Sequence, residues 1–396
     1  MYSIDQINFD GKKALVRVDF NVPLNAALEV TDNSRIKAAV RTIRKITADG
    51  GIAILMSHLG RPKGGPEDKY SLRHVVPALE ALLGHEVHFV ANCVGEEAVA
   101  ETAALPEGSV ALLENLRFYK EEEAGDEFFA GQLAEHGDVY INDAFGTAHR
   151  EHASTAVIAR FFPRAKYFGY LMEDEVRNIE KVLHHPEHPV CAIIGGAKVS
   201  SKIAVLKNLL DKVDHLIIGG GMAFTFIKAN GGNTGNSLVE EGEYTTALGI
   251  MEAAKQRGVQ IHLPVDAMIA DEFSNLANRR KSKSGEIPDG WMGLDVGPEA
   301  VKTFKDAILA SKTILWNGPM GVFEFENFRE GTLGVAKAMA EATKQGSFSL
   351  VGGGDSVAAI NLFNMASEVS YVSTGGGAML EFLEGLELPG IKAIRS

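Results

Sequence analysis

The chain has 396 residues, 45% hydrophobic and 23% charged, which is ordinary for a globular protein of about two domains. A net charge of −13 argues against general binding to nucleic acid or anionic membranes, and two cysteines, Cys93 and Cys191, are too few for a disulfide scaffold. No apolar run reaches the ~18–20 residues that span a bilayer, and MYSIDQINFDGKK lacks a signal-peptide pattern, so a cytoplasmic protein is expected.

The charge is uneven along the chain. Residues 1–75 carry 12 Lys+Arg against 8 Asp+Glu, about +4, which leaves about −17 for the rest. A basic region in an acidic protein suits a small anion better than a polymer. Arg41, Arg44 and Lys45 read instead as the solvated face of a helix.

In the first half, short apolar or β-branched runs predict strands at 13–18, 51–57, 86–90, 109–113 and 138–142. Asp19 and Asn21 follow the first in RVDFNVP, with Arg35 close behind in TDNSRIK. His58 and Arg61 follow the second in SHLGRPKGG. Arg117 follows the fourth in ENLRFY, and His149 and Arg150 follow the fifth in NDAFGTAHR. Arginine forks hold carboxylates and phosphates bidentately, and Asp19 and Asn21 can accept from hydroxyl groups. Four arginines at comparable strand ends therefore predict one site for a small polyanion.

Residues 171–183 place Met172, Val176, Ile179 and Leu183 on one helical face before HHPEHP breaks the helix. This stretch is expected to join two lobes. The histidines His184, His185 and His188 lack Cys or carboxylate partners at usual metal-ligand spacing.

Beyond it, strands are predicted at 190–194, 213–218, 259–263, 313–316, 347–351 and 370–373. Most end in glycine-rich turns: IIGGAKVSSK, IIGGGMAF with Gly219 and Gly220, WNGPMGVFEF with Asn317 and Pro319, VGGGDS from Gly352 to Ser356, and STGGGAM. Glycine lets backbone N–H groups approach an anion, and a following helix N-terminus adds a favourable dipole. Lys198 and Lys202 are four residues apart, one helical turn, so both ammonium groups are expected to reach a phosphate chain. Asp355 is a hard oxygen ligand suited to Mg²⁺ beside phosphates, and Glu324 can accept from a ribose hydroxyl. Asp and Ser in GGGDS also read as ordinary helix caps.

Strands alternating with helices predict an α/β fold: two doubly wound parallel-sheet (Rossmann-like) lobes joined by a hinge helix. Neither GxxxxGK[ST] nor GxGxxG occurs, which speaks against a P-loop and against a nicotinamide-dependent dehydrogenase. A non-catalytic anion-binding protein with two lobes stays open on the residues alone.

Nine segments, RVDFNVPL, SHLGRPKG, ENLRFY, NDAFGTAHR, GGAKVSSKI, GWMGLDVGP, WNGPMGVFEF, GGGDS and STGGGA, together resemble phosphoglycerate kinase in the family's order. The resemblance implies an N-terminal domain at 1–170 binding 3-phosphoglycerate and an interdomain helix and hinge at 171–189. It further implies a nucleotide-binding domain at 190–378 and a last segment, 379–396, that returns to the first domain. It implies Mg²⁺ with ATP or ADP as co-substrate, small-molecule partners only, and a monomer.

By motif, Asp19, Asn21, His58, Arg61, Arg117 and Arg150 resemble the phosphoglycerate contacts. Arg35 resembles the catalytic arginine and also contacts that substrate; Lys198 resembles the lysine that follows the moving phosphoryl group. Gly376 and Gly377, in the turn that opens the last phosphate-facing helix, join that catalytic set. Lys202, Gly219, Gly220, Asn317, Pro319, Glu324, Gly352, Gly353, Gly354, Asp355, Ser356 and Thr374 resemble nucleotide contacts, with Asp355 at the metal.

Overall fold

The computed structural model describes residues 3–63 and 65–396. The chain divides into two compact units, one of residues 1–176 with 387–396 and one of residues 177–386.

In the first unit, six parallel strands form one sheet: β1 (Lys13–Val18), β2 (Ile52–Met56), β3 (His88–Val90), β4 (Val110–Leu113), β5 (Val139–Asp143) and β6 (Lys166–Phe168). Their order is β3-β4-β2-β1-β5-β6, with β1 central and Leu15 paired to Ile54 on one side and Tyr140 on the other. Strands buried on both faces explain the unbroken apolar runs, since helices cover a parallel sheet on each side. The helix Ser34–Ala48 shows how. It turns Ile36, Ala39, Ile43 and Ile46 inward at helical spacing, all buried, and leaves Arg41 and Arg44 outward. Each buried isoleucine contributes about 1.5–3 kcal/mol by leaving water.

The helix Tyr170–Leu183 follows β6, and the division between units falls within it. Its predicted apolar face, Met172, Val176, Ile179 and Leu183, is buried. Its first turn is tied to the first unit: Met172 N donates to Asp143 Oδ1 at 3.2 Å and Tyr170 N to Thr42 Oγ1 at 3.0 Å. The chain's last helix, Pro389–Arg395, packs in the first unit by burying Ile391 and Ile394. Gly390 N donates to Ala148 O at 2.8 Å, so this helix props the loop that carries Arg150.

The second unit contains β7 (Val190–Ile194), β8 (His215–Ile218), β9 (Asn233–Thr234), β10 (Gln260–His262), β11 (Asp266–Ala270) and β12 (Arg279–Lys283). It continues with β13 (Glu286–Ile287), β14 (Met292–Val296), β15 (Thr313–Asn317), β16 (Phe348–Val351) and β17 (Tyr371–Val372). Six of these make a second parallel sheet, ordered β10-β8-β7-β15-β16-β17. The sequence patterns missed an antiparallel sheet, β12-β11-β14, and a two-stranded pair, β13-β9. The reason is visible in β12: RRKSK is a charged edge strand with no apolar alternation, so it reads as loop. Strand β6 was also unanticipated.

Both cysteines are buried and unpaired with each other. Among the described residues no helix is long and apolar enough to cross a membrane.

Candidate functional site

Open parallel sheets bind ligands beyond the carboxyl ends of their strands. In the first unit, the loops leaving β4, β2, β1 and β5, four neighbours in the sheet, carry the arginine set. Arg35 Nη1 donates to Asp19 Oδ2 at 2.7 Å. Asn21 Oδ1 accepts from Gly60 N at 2.8 Å, and Arg117 Nη1 donates to Gly60 O at 2.9 Å. Arg117 Nε lies 3.2 Å from Glu123 Oε1, which Arg150 Nη1 approaches at 4.0 Å. The structure thus links Asn21, Arg117 and Arg150 through Gly60 and Glu123. Arg61 is exposed on the loop after β2.

His58, after β2, is only 4% exposed. Burial, then the charges of Arg17, Arg117 and Arg35, push its pKa well below the ordinary histidine value, which favours the neutral ring. Burial, then the charges of Arg17, Arg150 and Arg117, bring His152 down to about 4. Arg17, Glu122, Ser154 and His152 form a buried polar layer that sequence patterns did not reveal. The available signal was a lone arginine inside the apolar run ALVRV, where a charge has no reason to sit unless something buried receives it.

In the second unit, the loops leaving β7, β8, β15, β16 and β17 carry the glycine-rich turns, and these strands too are consecutive in the sheet. Lys202 Nζ donates to Asn317 Oδ1 at 2.5 Å, Asn317 Nδ2 donates to Gly352 O at 2.9 Å, and Ser356 Oγ accepts from Gly318 N at 2.5 Å. Asn317 and Ser356 are therefore buried struts between neighbouring turns. Gly353 caps the helix Gly354–Leu362 at φ +90°, and an added Cβ there would lie 2.5 Å from Asn317 Nδ2. Gly220, at φ +68°, would set a Cβ 2.6 Å from Gly196 O, and Gly219 N donates to Ile194 O. Glycine is required at both positions for conformation and for space.

Two expectations need correction. The segment holding Lys198 and Lys202 is a turn, with Lys202 N donating to Val199 O at 2.8 Å, and the helix begins only at Ile203. The lysines are not one helical turn apart: Lys198 is exposed while Lys202 is half-buried, with burial lowering its pKa against the pull of Asp355 and Glu384. Neither Asp355 nor Ser356 caps its helix. Gly353 does, which leaves the Asp355 carboxylate exposed in the first turn. Thr374 is exposed before Gly376, which caps the helix Gly377–Leu383.

A cavity of about 470 Å³ opens beside these turns. It gathers Gly220, Pro319, Glu324 and Asp355 from the predicted set; Lys202, Gly219, Asn317, Gly352–Gly354, Ser356 and Thr374 are not among its lining residues. Its apolar lining, Leu238, Phe273, Met292, Leu294 and Val322, was not anticipated. The antiparallel sheet and its loops supply much of it. Phe273 is 64% exposed and packs tilted against Phe325, with ring centroids 5.1 Å apart, an aromatic surface available to a flat ring. Among the described residues no three His, Cys, Asp or Glu side chains could hold a metal by themselves. Asp355 fits Mg²⁺ in the manner of a single carboxylate that shares the ion with substrate phosphates.

Comparison with known proteins agrees with this architecture. A protein-family model, Phosphoglycerate kinase, matches residues 4–386. A phosphoglycerate kinase of Porphyromonas gingivalis is 53% identical, covering 99% of this chain and all of that protein. A cytosolic phosphoglycerate kinase of Nicotiana tabacum is 50% identical over 99% of this chain and 97% of that one. The solved structure of phosphoglycerate kinase from Coxiella burnetii superposes with a TM-score of 0.92 at 39% identity, covering 100% of this chain and 99% of that one. Two parallel α/β units with phosphate-suited turns, and similarity over the whole length, place this chain in the phosphoglycerate kinase family.

Proposed function

We propose that the first unit binds 3-phosphoglycerate, that the second binds Mg-ATP or Mg-ADP, and that a phosphoryl group passes directly between them. The chain is an enzyme of the phosphoglycerate kinase family, acting in glycolysis. In the glycolytic direction the acyl phosphate of 1,3-bisphosphoglycerate would donate to ADP. In reverse, a carboxylate oxygen of 3-phosphoglycerate attacks the γ-phosphorus, a new P–O bond forms, and the bond to the β-phosphate oxygen breaks. Neither nucleophile needs a general base, so the protein's work is positioning and charge neutralisation.

Arg117, Arg150, Arg61 and His58 hold the phosphoglycerate, with Asp19 and Asn21 toward its hydroxyl. The apolar cavity takes the nucleobase, Glu324 the ribose, and the turns at Gly220, Gly353 and Thr374 the phosphates. Lys202, held by Asn317, adds positive charge there. Arg35 and Lys198, with the N–H groups at Gly376 and Gly377, stabilise charge on the transferring oxygens. Mg²⁺ held by Asp355 would neutralise and orient the nucleotide phosphates. Closure of the two units, about a hinge at 171–189, aligns donor and acceptor and excludes water that would hydrolyse an acyl phosphate.

The observation carrying this reading is the pairing of an arginine-and-histidine set at one sheet's carboxyl edge with a glycine-and-lysine set at the other's. A single chain supplies both sets, which supports a monomer acting on small molecules. The cytosolic name of the Nicotiana relative supports a cytoplasmic location. A coupled assay of ATP-dependent phosphorylation of 3-phosphoglycerate tests the activity: turnover requiring both substrates is expected, and nucleotide binding without turnover would contradict it.

A further inference from the structure

Beneath the arginine set of the first unit lies a chain of buried hydrogen bonds that starts on the central strand. Arg17 is 1% exposed, and three of its donors are spoken for. Nε donates to Ser154 Oγ at 2.8 Å, Nη1 donates to Val18 O, and Nη2 lies 3.1 Å from His58 Nδ1. Ser154 in turn donates through Oγ to Glu122 Oε1 at 2.5 Å and through its backbone N to Glu122 Oε2 at 3.0 Å. Glu122 is fully buried; burial raises its pKa, and the Arg17 charge is the largest influence drawing it back. Arg17 is thus anchored at both ends of its guanidinium and linked to the Glu122 carboxyl group through a serine.

A guanidinium has only donors and does not deprotonate. The nitrogen it meets must therefore offer a lone pair. His58 Nδ1 is that nitrogen, so the single proton of the neutral ring belongs on Nε2. We propose that Arg17 is a positioning residue that fixes His58 as the neutral Nε2–H tautomer, so that His58 meets the anionic substrate as a hydrogen-bond donor and never as a cation. An imidazolium would set an N–H against the Nη2 donor and add a charge beside Arg117, Arg35 and His152, which also act on this ring. The substrate half of this inference rests on the proposed contact of His58 with 3-phosphoglycerate. The gain is a donor whose protonation does not change across the physiological range, in a residue type that ordinarily titrates there.

The test is the nitrogen chemical shifts of isotope-labelled histidine in the full-length protein, with the His58 signal assigned from His58→Gln. In the ligand-free parent, His58 is expected to show Nε2 protonated, Nδ1 unprotonated and no titration between about pH 5.5 and 8. A protonated Nδ1, or a charged ring in that range, would overturn the proposal whether or not Arg17→Met folds. In Arg17→Met the ring is expected to mix tautomers or titrate. The KM for 3-phosphoglycerate should rise by about tenfold, the worth of one hydrogen bond to a charged group, with the KM for ATP unchanged. An unaltered His58 spectrum in a folded Arg17→Met would also overturn it. Adding 3-phosphoglycerate to the parent should shift His58 Nε2. No shift would remove the substrate half and the proposed contact, and would leave the Arg17-set tautomer to be judged by the ligand-free spectrum.

Discussion

Arg35 Nη1 sits 2.7 Å from Asp19 Oδ2, joining the first turn of a helix to the loop that leaves the central strand. The arginine side chain is 45% exposed and the aspartate 12%, so the carboxylate is the more buried partner and the guanidinium the one that faces solvent. An exposed pair of this kind is worth about 0–1 kcal/mol, too little to explain the arrangement as a stability device. It holds a cation beside the loops proposed to bind 3-phosphoglycerate.

Arg35→Ala should therefore leave melting temperature and nucleotide affinity nearly unchanged while lowering kcat by about 100- to 1,000-fold, as losing one transition-state donor does. Steady-state kinetics and calorimetric nucleotide titration check this together. A near-normal kcat would remove Arg35 from the transfer step.

Asp355 stands exposed in the first turn of its helix, with Gly353 as the cap, so truncating it removes no capping bond. Asp355→Ala should weaken Mg-nucleotide binding by at least about tenfold and leave 3-phosphoglycerate binding as it was. Equal losses for both ligands in calorimetry would reject Asp355 as the metal ligand.

Asp143, at the end of β5, gives the fold a pH dependence. Burial pushes its carboxyl up to about 7, against hydrogen bonds from Thr42, Met172 and Leu171. In the unfolded chain an aspartate titrates near about 3.9. Between those values the folded chain holds a proton that the unfolded chain has lost. Its contribution to stability is thus full below about pH 4 and is lost as pH rises toward about 7. Asp143→Asn carries no charge at any pH. Its unfolding free energy relative to the parent should improve as pH rises from about 4.5 to 7, by no more than about 1.4 kcal/mol per unit. Denaturant titrations at several pH values measure the difference; parallel profiles would contradict the assignment.

Much of the architecture was readable because parallel strands buried on both faces leave unbroken apolar runs, as in Ile52–Met56 and Val190–Ile194, each followed by glycine or arginine. The helix Tyr170–Leu183 was readable from its apolar spacing. What stayed hidden depends on distant partners. β12 is charged because it is an edge strand, and only pairing to β11 makes it a strand. Phe273 is one exposed aromatic in a polar loop until the cavity beside it is known. Arg17 looks like an error in an apolar strand until Ser154, 137 residues away, receives it. Lys202 belongs to a turn and not to the helix after it, because local spacing cannot say where the first intrahelical bond forms.

The central claim is a single, direct transfer between two bound substrates. Its most direct test uses ATP made chiral at the γ-phosphorus with oxygen isotopes, followed by analysis of the phosphoryl group delivered to 3-phosphoglycerate. In-line attack by the carboxylate predicts inversion of configuration. Retention would mean an even number of displacements through a phosphorylated side chain, and would contradict the account.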